Sequence, residues 1–160
     1  MAGACHLRGA LARAQQAREQ VHGADYPGGA LTFSPAFQSH LTANARLLLG
    51  GDANRADAEA LAGQAVELFT AEPPERQQLG LLSSARLNLA AAQLTGDNLE
   101  GAAANIGDTL TIIALRPSET VTRRLTQITN TLQRPRYQNT TLALDLRDQI
   151  HTATKPAPPS

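Results

Sequence analysis

Leucine and alanine residues recur along most of the chain at spacings of three and four positions, with polar residues between them. This spacing places the apolar side chains on one face of an α-helix, so the pattern predicts helices. No segment shows the strict alternation that predicts a strand. The seven predicted helices cover residues 4–22, 35–49, 54–71, 74–94, 98–114, 121–132 and 142–150.

Glycine, proline and short polar residues mark where these helices begin and end. Ser34-Pro35 reads as an N-cap followed by a first-turn proline. Gly50-Gly51-Asp52 and Gly96-Asp97 each separate two helices, since glycine tolerates the left-handed conformation that ends a helix and aspartate caps the next one. Asp97 with Glu100 fits a capping box. Short connections of this kind predict antiparallel neighbours.

The inward-facing positions define the expected core. In the second helix, Phe37, Leu41 and Leu48 are predicted to face inward. In the third helix, small residues dominate the inward face, and they allow two antiparallel helices to approach closely. The predicted fold class is all-α, with about seven helices stacked as antiparallel helical hairpins.

The fourth and fifth helices carry a recognisable order of residues: Leu89-Ala90, Gln93, Gly96-Asp97, Ala102, Ile106 and Leu110. This order resembles the tetratricopeptide repeat, although Gln93 and Ile106 stand where the repeat has aromatic residues. The two Gly-Asp breaks are also farther apart than the 34-residue period of that repeat. The resemblance implies degenerate repeats that form an α-solenoid.

A second resemblance covers about residues 33–150. Its landmarks are Thr32-Phe33-Ser34-Pro35-Ala36, Leu68-Phe69, Glu72-Pro73-Pro74-Glu75-Arg76, Ala85-Arg86-Leu87-Asn88-Leu89-Ala90, Gly96-Asp97-Asn98-Leu99-Glu100-Gly101-Ala102 and Arg134-Pro135-Arg136-Tyr137. Their order and spacing resemble the C-terminal helical-repeat region of actinobacterial transcriptional regulators of the Xre (helix-turn-helix) type. The resemblance implies a region that senses a ligand or mediates assembly. Nothing before residue 33 resembles a helix-turn-helix, so DNA binding is not carried over.

These patterns predict one helical-repeat domain over residues 1–154, in which residues 1–32 form an incomplete first hairpin and a loop. The Pro-rich tail at residues 155–160 is predicted to be disordered.

Charge and cysteine content narrow the function classes. The formal net charge is zero, which argues against nucleic-acid binding driven by phosphate attraction. Acidic residues dominate positions 52–76 and arginines dominate positions 116–136, and these regions either mark a partner face or attract each other. Cys5 is the only cysteine, which suits a reducing cytoplasm. No apolar run has the length of a membrane span, so no membrane association is expected.

The candidate chemistry points away from catalysis. His6, His22, His40 and His151 are widely separated, so they are interpreted as structural or exposed and not as metal ligands. Asp145 and Asp148 share a helix face, which is interpreted as solvated. With no nucleophile, metal-ligand cluster or phosphate loop, the chain is predicted to be no enzyme and to use no cofactor.

Binding residues are predicted on the first helix of each hairpin, which lines the concave groove of repeat domains. These candidates are Gln38, Asn44, Arg46, Gln78, Arg86, Asn88 and Gln93. Arg123 and Arg124, with Arg134 and Arg136, form a basic group. This group either clamps carboxylate or phosphate groups or is a solvated face with cations near a helix C-terminus.

The expected function is a non-enzymatic interaction module like the sensor or oligomerisation region of an Xre-type regulator. Its expected partner is a peptide, a small molecule or a protein, including a second copy of itself. A stand-alone tetratricopeptide-like scaffold that binds a peptide or partner protein is the alternative. In the regulator-like module, ligand binding would shift how the hairpins pack.

Overall fold

The computed structural model describes residues 2–20 and 34–155. Within these ranges all regular structure is helical, which confirms the all-α prediction for this part of the chain. The seven helices are α1 (Ala2–Glu19), α2 (Pro35–Leu49), α3 (Asp52–Thr70), α4 (Leu79–Thr95), α5 (Leu99–Leu115), α6 (Glu119–Leu132) and α7 (Thr141–Thr154). The predicted loop at residues 23–32, His22 and the tail beyond Lys155 lie outside the described residues.

Several helix ends lie where the capping signals place them. Ser34 caps α2, because its hydroxyl accepts a hydrogen bond from the Phe37 amide at 3.2 Å, and Pro35 is the first helical residue. Gly50 and Gly51 separate α2 from α3 with φ values of 67° and 84°, which only glycine adopts without strain. These residues therefore determine where α2 begins and where it ends.

One predicted helix start and two predicted caps are wrong. Gly51, and not Asp52, is the N-cap of α3, and Asp52 is the first helical residue. α4 begins at Leu79 and not at residue 74, because the preceding residues form a turn in which the Arg76 amide donates to the Pro73 carbonyl at 2.8 Å. Asn98, and not Asp97, caps α5 by accepting a hydrogen bond from the Gly101 amide. Asp97 itself adopts the left-handed conformation, with φ of 62°, that was expected of a glycine.

Side-chain contacts show that α2 and α3, and likewise α4 and α5, run antiparallel. Between α2 and α3, Arg46 donates to Asn54 at 3.0 Å near the connection, and Ser39 donates to Gln64 at 3.0 Å farther from it. α4 and α5 pair in the same way through two contacts, Gln93 with Asn105 and Arg86 with Asp108. The helical-hairpin arrangement is therefore present in this part of the chain.

α4 is the central helix of the fold. Its residues contribute both to a cluster shared with α2 and α3, built around Phe69, and to a larger cluster shared with α5, α6 and α7. Ala58, Ala62 and Ala65 of α3 are fully buried, in agreement with the predicted small inward face. Residues of α4 thus belong to both clusters, and α4 contacts both α2 and α6.

The predicted inward face of α2 is wrong for its leucines. Leu41 is 42% exposed and Leu48 is 76% exposed. α2 lies close to α3 and α4, and its contact face is built mostly of smaller side chains, so the leucines lie outside the contact. The buried residues of α2 are Ala36, Ser39, His40 and Ala43.

The segment between α6 and α7 holds the turn between α4 and α5. The Tyr137 hydroxyl donates to the Leu94 carbonyl at 2.5 Å and lies 3.2 Å from Asp97 Oδ1. Arg136 donates to the same carbonyl at 2.9 Å and forms an ion pair with Asp97 at 2.7 Å. Two landmarks of the sequence, Gly96-Asp97 and Arg134-Pro135-Arg136-Tyr137, therefore contact each other.

This turn yields a stability prediction. Asp97→Ala is expected to lower the free energy of unfolding by about 1–2 kcal/mol, because alanine has no side chain to offset the cost of the left-handed conformation. The exposed ion pair with Arg136 adds little to this cost. Asp97→Asn is the control, since asparagine tolerates the conformation and is expected to stay within about 0.5 kcal/mol of the parent. Urea unfolding measures both, and equal losses in the two variants would contradict the backbone explanation.

Candidate ligand-binding groove

α2, α4 and α6 lie side by side and enclose a cleft of about 220 Å³. The cleft is lined by Leu47 from α2, by Leu87, Ala91, Leu94 and Thr95 from α4, by Arg124, Gln127, Ile128 and Thr131 from α6, and by Arg134 from the turn after α6. We call this cleft, together with the faces of α2 and α6 that border it, the α2–α4–α6 groove.

α2 forms one wall of the groove, where Leu47 lines the cleft itself and Leu41 and Leu48 are exposed outside its lining. His40 contacts α4 and Leu47 lines the cleft, so these two residues define the side of α2 that faces α4. Leu41 and Leu48 follow them by one position each, which turns them about 100° outward from that contact. They lie seven residues apart and are nearly aligned along the helix. The α2 wall is therefore apolar and open to solvent.

α6 forms the opposite wall and carries positive charge. Arg124 and Gln127 project from one face of α6, because they are three residues apart, and Arg134 lines the cleft from the turn that follows this helix. Arg134, and Arg123 on α6, are exposed and make no ion pair within the described residues. Among the residues that the structure describes, no carboxylate lines the cleft. The groove thus joins an apolar wall to a basic wall.

A buried polar network ties the three helices together beneath the groove. Asn88 of α4 is fully buried, and its amide nitrogen lies 3.2 Å from His40 Nδ1 and donates to the His40 carbonyl at 3.2 Å. Its amide oxygen accepts a hydrogen bond from Arg124 of α6. Arg124 also donates to the Ser84 carbonyl at 3.3 Å. Because a guanidinium has five N–H donors, Arg124 keeps donors for a ligand in the cleft.

The network changes the titration of its members. Burial, and then the positive charge of Arg124, lower the pKa of His40 from 6.5 to about 4. Burial also lowers the pKa of the Arg124 guanidinium. A neutral His40 with an unprotonated Nδ1 can accept the hydrogen bond from Asn88, which fits the observed distance.

The free energy of unfolding is therefore expected to decrease as the pH falls below neutrality. The folded-state pKa of His40 lies below its unfolded value. Between pH 6.5 and pH 4 the imidazole is therefore protonated more often in the unfolded chain than in the folded one. From pH 7 to pH 5 this difference corresponds to about 2 kcal/mol of lost stability. Urea unfolding at both values should show that loss in the parent and a shallower pH dependence in His40→Gln. Parallel pH dependences would contradict it.

The structure separates the predicted binding residues into three groups. Arg124 lines the groove and Asn88 lies buried beneath it, while Asn44 and Arg123 lie on the bordering helices α2 and α6 without lining the cleft. The others have different surroundings: Gln38 and Arg46 border a second cleft with α1 and α3, Arg86 and Gln93 contact α5, and Gln78 precedes α4. Contact with a partner remains a prediction for every one of them.

Sequence reasoning missed Leu41, Leu47 and Leu48 as groove residues and did not single out Gln127. A signal existed for the leucines, since Leu41 and Leu48 share one helix face while Ala36, His40 and Ala43 can occupy another. Leucines at helical spacing are usually buried, so the leucine face of α2 was predicted to lie in the core. Arg136 belongs to the turn contact with Asp97 and not to the groove.

The remaining candidates stay apart from the groove. Asp145, Asp148, His6 and His151 are exposed. Among the described residues, no group of three or more His, Cys, Asp or Glu side chains could hold a metal ion. In the same ranges, no helix has the length and apolar character needed to span a membrane.

Comparison with known proteins adds no relative to this picture. No family model, no curated protein and no solved structure matches the chain.

Proposed function

We propose that this chain is a non-enzymatic binding module whose ligand is a peptide or a segment of a partner protein held in the α2–α4–α6 groove. The observation that carries this proposal is a cleft in which Leu47 lies opposite Arg124 and Arg134, next to the exposed Leu41 and Leu48 of α2. Aromatic residues, methionine and arginine are enriched at interfaces, and exposed apolar patches mark interaction sites. The cleft is smaller than the ~300–1,000 Å³ typical of small-molecule sites, which favours individual side chains of a peptide as occupants.

We further propose that the module acts in the cytoplasm and is related to the sensor or assembly region of Xre-type regulators. The sequence landmarks support this relation, and the contact between Asp97 and Arg136 gives two of them a shared structural role. A ligand that displaces Arg124 would also displace α2, because Asn88 links Arg124 to His40 through hydrogen bonds. Such a displacement offers a route by which binding reaches the hairpin packing.

A displayed library of random peptides tests the proposed function. Selection on the parent protein is followed by binding to two tryptophan variants, Thr95→Trp and Thr111→Trp. Both threonines are exposed and both hydroxyls donate to the carbonyl four residues earlier, but only Thr95 lines the groove. We expect Thr95→Trp to weaken binding of selected peptides by about tenfold or more, and Thr111→Trp to change it by less than about twofold.

The matched variants make the outcome decisive. Peptides whose binding is blocked only by Thr95→Trp support a ligand in the groove. A selection that yields no binders, or binders that tolerate Thr95→Trp, would contradict the proposed function.

A further inference from the structure

We propose that the cleft of the α2–α4–α6 groove binds a carboxylate on an aliphatic chain, with the carboxylate held by Arg124 and Arg134. This inference rests on the proposed function and adds the chemical group of the ligand that the cleft recognises. The residues that line the cleft supply both parts of such a site, arginines for the carboxylate and aliphatic side chains for the carbon chain.

Arg124 is a partly buried cation whose hydrogen-bond acceptors are uncharged. Its guanidinium donates to the Asn88 side-chain oxygen and to the Ser84 carbonyl, so that three of its five N–H groups remain for a ligand. It makes no ion pair within the described residues, and burial lowers its pKa. A charge that is withdrawn from water is costly unless it is paired, so an anion in the cleft would stabilise this arginine.

Arg134 brings a second cation to the same cleft from the turn after α6. This side chain is exposed, and it makes no ion pair in the part of the chain that the structure describes. Both arginines border a cleft of only about 220 Å³, and no described carboxylate lines it. Two guanidinium groups at one small cleft can hold the two oxygens of a carboxylate through charge-assisted hydrogen bonds.

The remaining lining determines the aliphatic part of the ligand. Five of the ten lining residues are apolar, namely Leu47, Leu87, Ala91, Leu94 and Ile128. An inorganic phosphate would meet the arginines, but it has no apolar part to contact these side chains, and it carries more charge to remove from water. A carboxylate at the end of an aliphatic chain matches both parts of the lining.

A peptide of another protein and a second copy of this chain can both supply this group. A glutamate side chain and the last residue of a peptide each carry a carboxylate next to aliphatic carbons. On a second copy, α3 exposes Asp52 and Glu67, which make no ion pair within the described residues. Both sources present the same chemistry to the cleft, and measurements of self-association distinguish them.

Hexanoate tests the carboxylate site directly, by NMR of the arginine side-chain N–H groups. Hexanamide replaces the carboxylate by an uncharged group, acetate lacks the long aliphatic chain, and inorganic phosphate is an anion without an apolar part. All titrations are made at one ionic strength. We expect hexanoate to shift the signals of Arg124 and Arg134 but not of Arg123, and to bind about tenfold or more tightly than each other probe.

Two matched arginine variants locate the binding. Arg134→Gln is compared with Arg123→Gln, since both side chains are exposed and make no ion pair within the described residues, but only Arg134 lines the cleft. Arg124 is kept because it belongs to the buried network with Asn88. We expect Arg134→Gln to weaken hexanoate binding about fivefold or more, and Arg123→Gln to change it by less than about twofold.

Sedimentation equilibrium identifies the source of the carboxylate. The parent is compared with Arg134→Gln and with a double variant that combines Asp52→Asn and Glu67→Gln. Self-association that is lost in both variants would support the cleft and assign the carboxylate to α3 of a second copy. A parent protein that binds hexanoate and stays monomeric would support the cleft and assign the carboxylate to another protein.

Other results would overturn the proposal. These are binding of hexanamide or phosphate as tight as that of hexanoate, signal changes confined to Arg123, and equal weakening by the two arginine substitutions. If library peptides are blocked by Thr95→Trp but tolerate Arg134→Gln, this inference fails while the proposed function stands. If hexanoate binds at the cleft but the library yields no binders, the proposed function fails while the carboxylate site stands.

Discussion

Replacing Asn88 by alanine is expected to lower the free energy of unfolding by about 3 kcal/mol. Asn88 is fully buried and connects His40 on α2 to Arg124 on α6. Its removal leaves a buried imidazole without a donor and a half-buried guanidinium with the Ser84 carbonyl as its remaining acceptor. A charged group that loses its acceptor costs more than a neutral one, which makes this loss large.

Asn105 provides a matched control for this substitution. It is also a buried asparagine, but its side chain donates only to Gln93 and to the Gly101 carbonyl, which are uncharged. We expect Asn105→Ala to cost about 1 kcal/mol. Urea unfolding of both variants compares the two, and equal losses would show that Asn88 holds no charged network.

Replacing Phe69 by alanine is expected to lower the free energy of unfolding by about 4 kcal/mol. Phe69 of α3 is fully buried, and it packs with Ala36 of α2 and with Leu82 and Ala85 of α4. Apart from Leu82, the other buried members of this cluster are alanines, which cannot extend to fill the space that the ring leaves. The cavity therefore adds to the lost burial of the ring itself.

The adjacent residue on α3 serves as the control for Phe69. Leu68 is 38% exposed, so Leu68→Ala removes a side chain that is already partly in water. Its expected cost is under about 1 kcal/mol. Chemical unfolding that shows the same loss for both variants would contradict the placement of Phe69 at the centre of the α2–α3–α4 cluster.

The sequence was sufficient to predict the helices because their signals are local. The serine and proline before α2, and the glycines after it, act through bonds to residues within one turn. The start of α4 was missed because proline is compatible both with a first helical turn and with the β-turn found there. Asp97 was misassigned because its partners, Arg136 and Tyr137, lie far away in the sequence.

The groove was less predictable, since a helix face can be assigned to core or surface only when its neighbours are known. α2 has one face of small residues and one of leucines, and the hydrophobic pattern alone favoured the leucines as core. Arg124 was proposed from its charge, yet its anchoring depends on Asn88 and Ser84, which contact it only in the folded chain. Asn88 was predicted to contact a ligand. It is buried beneath the groove, where it accepts a hydrogen bond from Arg124.

Methyl NMR of leucine-labelled protein tests the central claim that the α2–α4–α6 groove is the binding surface. The titrant is the tightest peptide from the library selection. We predict chemical-shift changes in the methyl groups of Leu41, Leu47 and Leu48, with Leu115 and Leu144 unchanged, because Leu47 lines the cleft and the other two lie exposed on the same helix, whereas Leu115 and Leu144 lie on α5 and α7. Changes confined to Leu115 or Leu144, with the groove leucines unaffected, would contradict the claim.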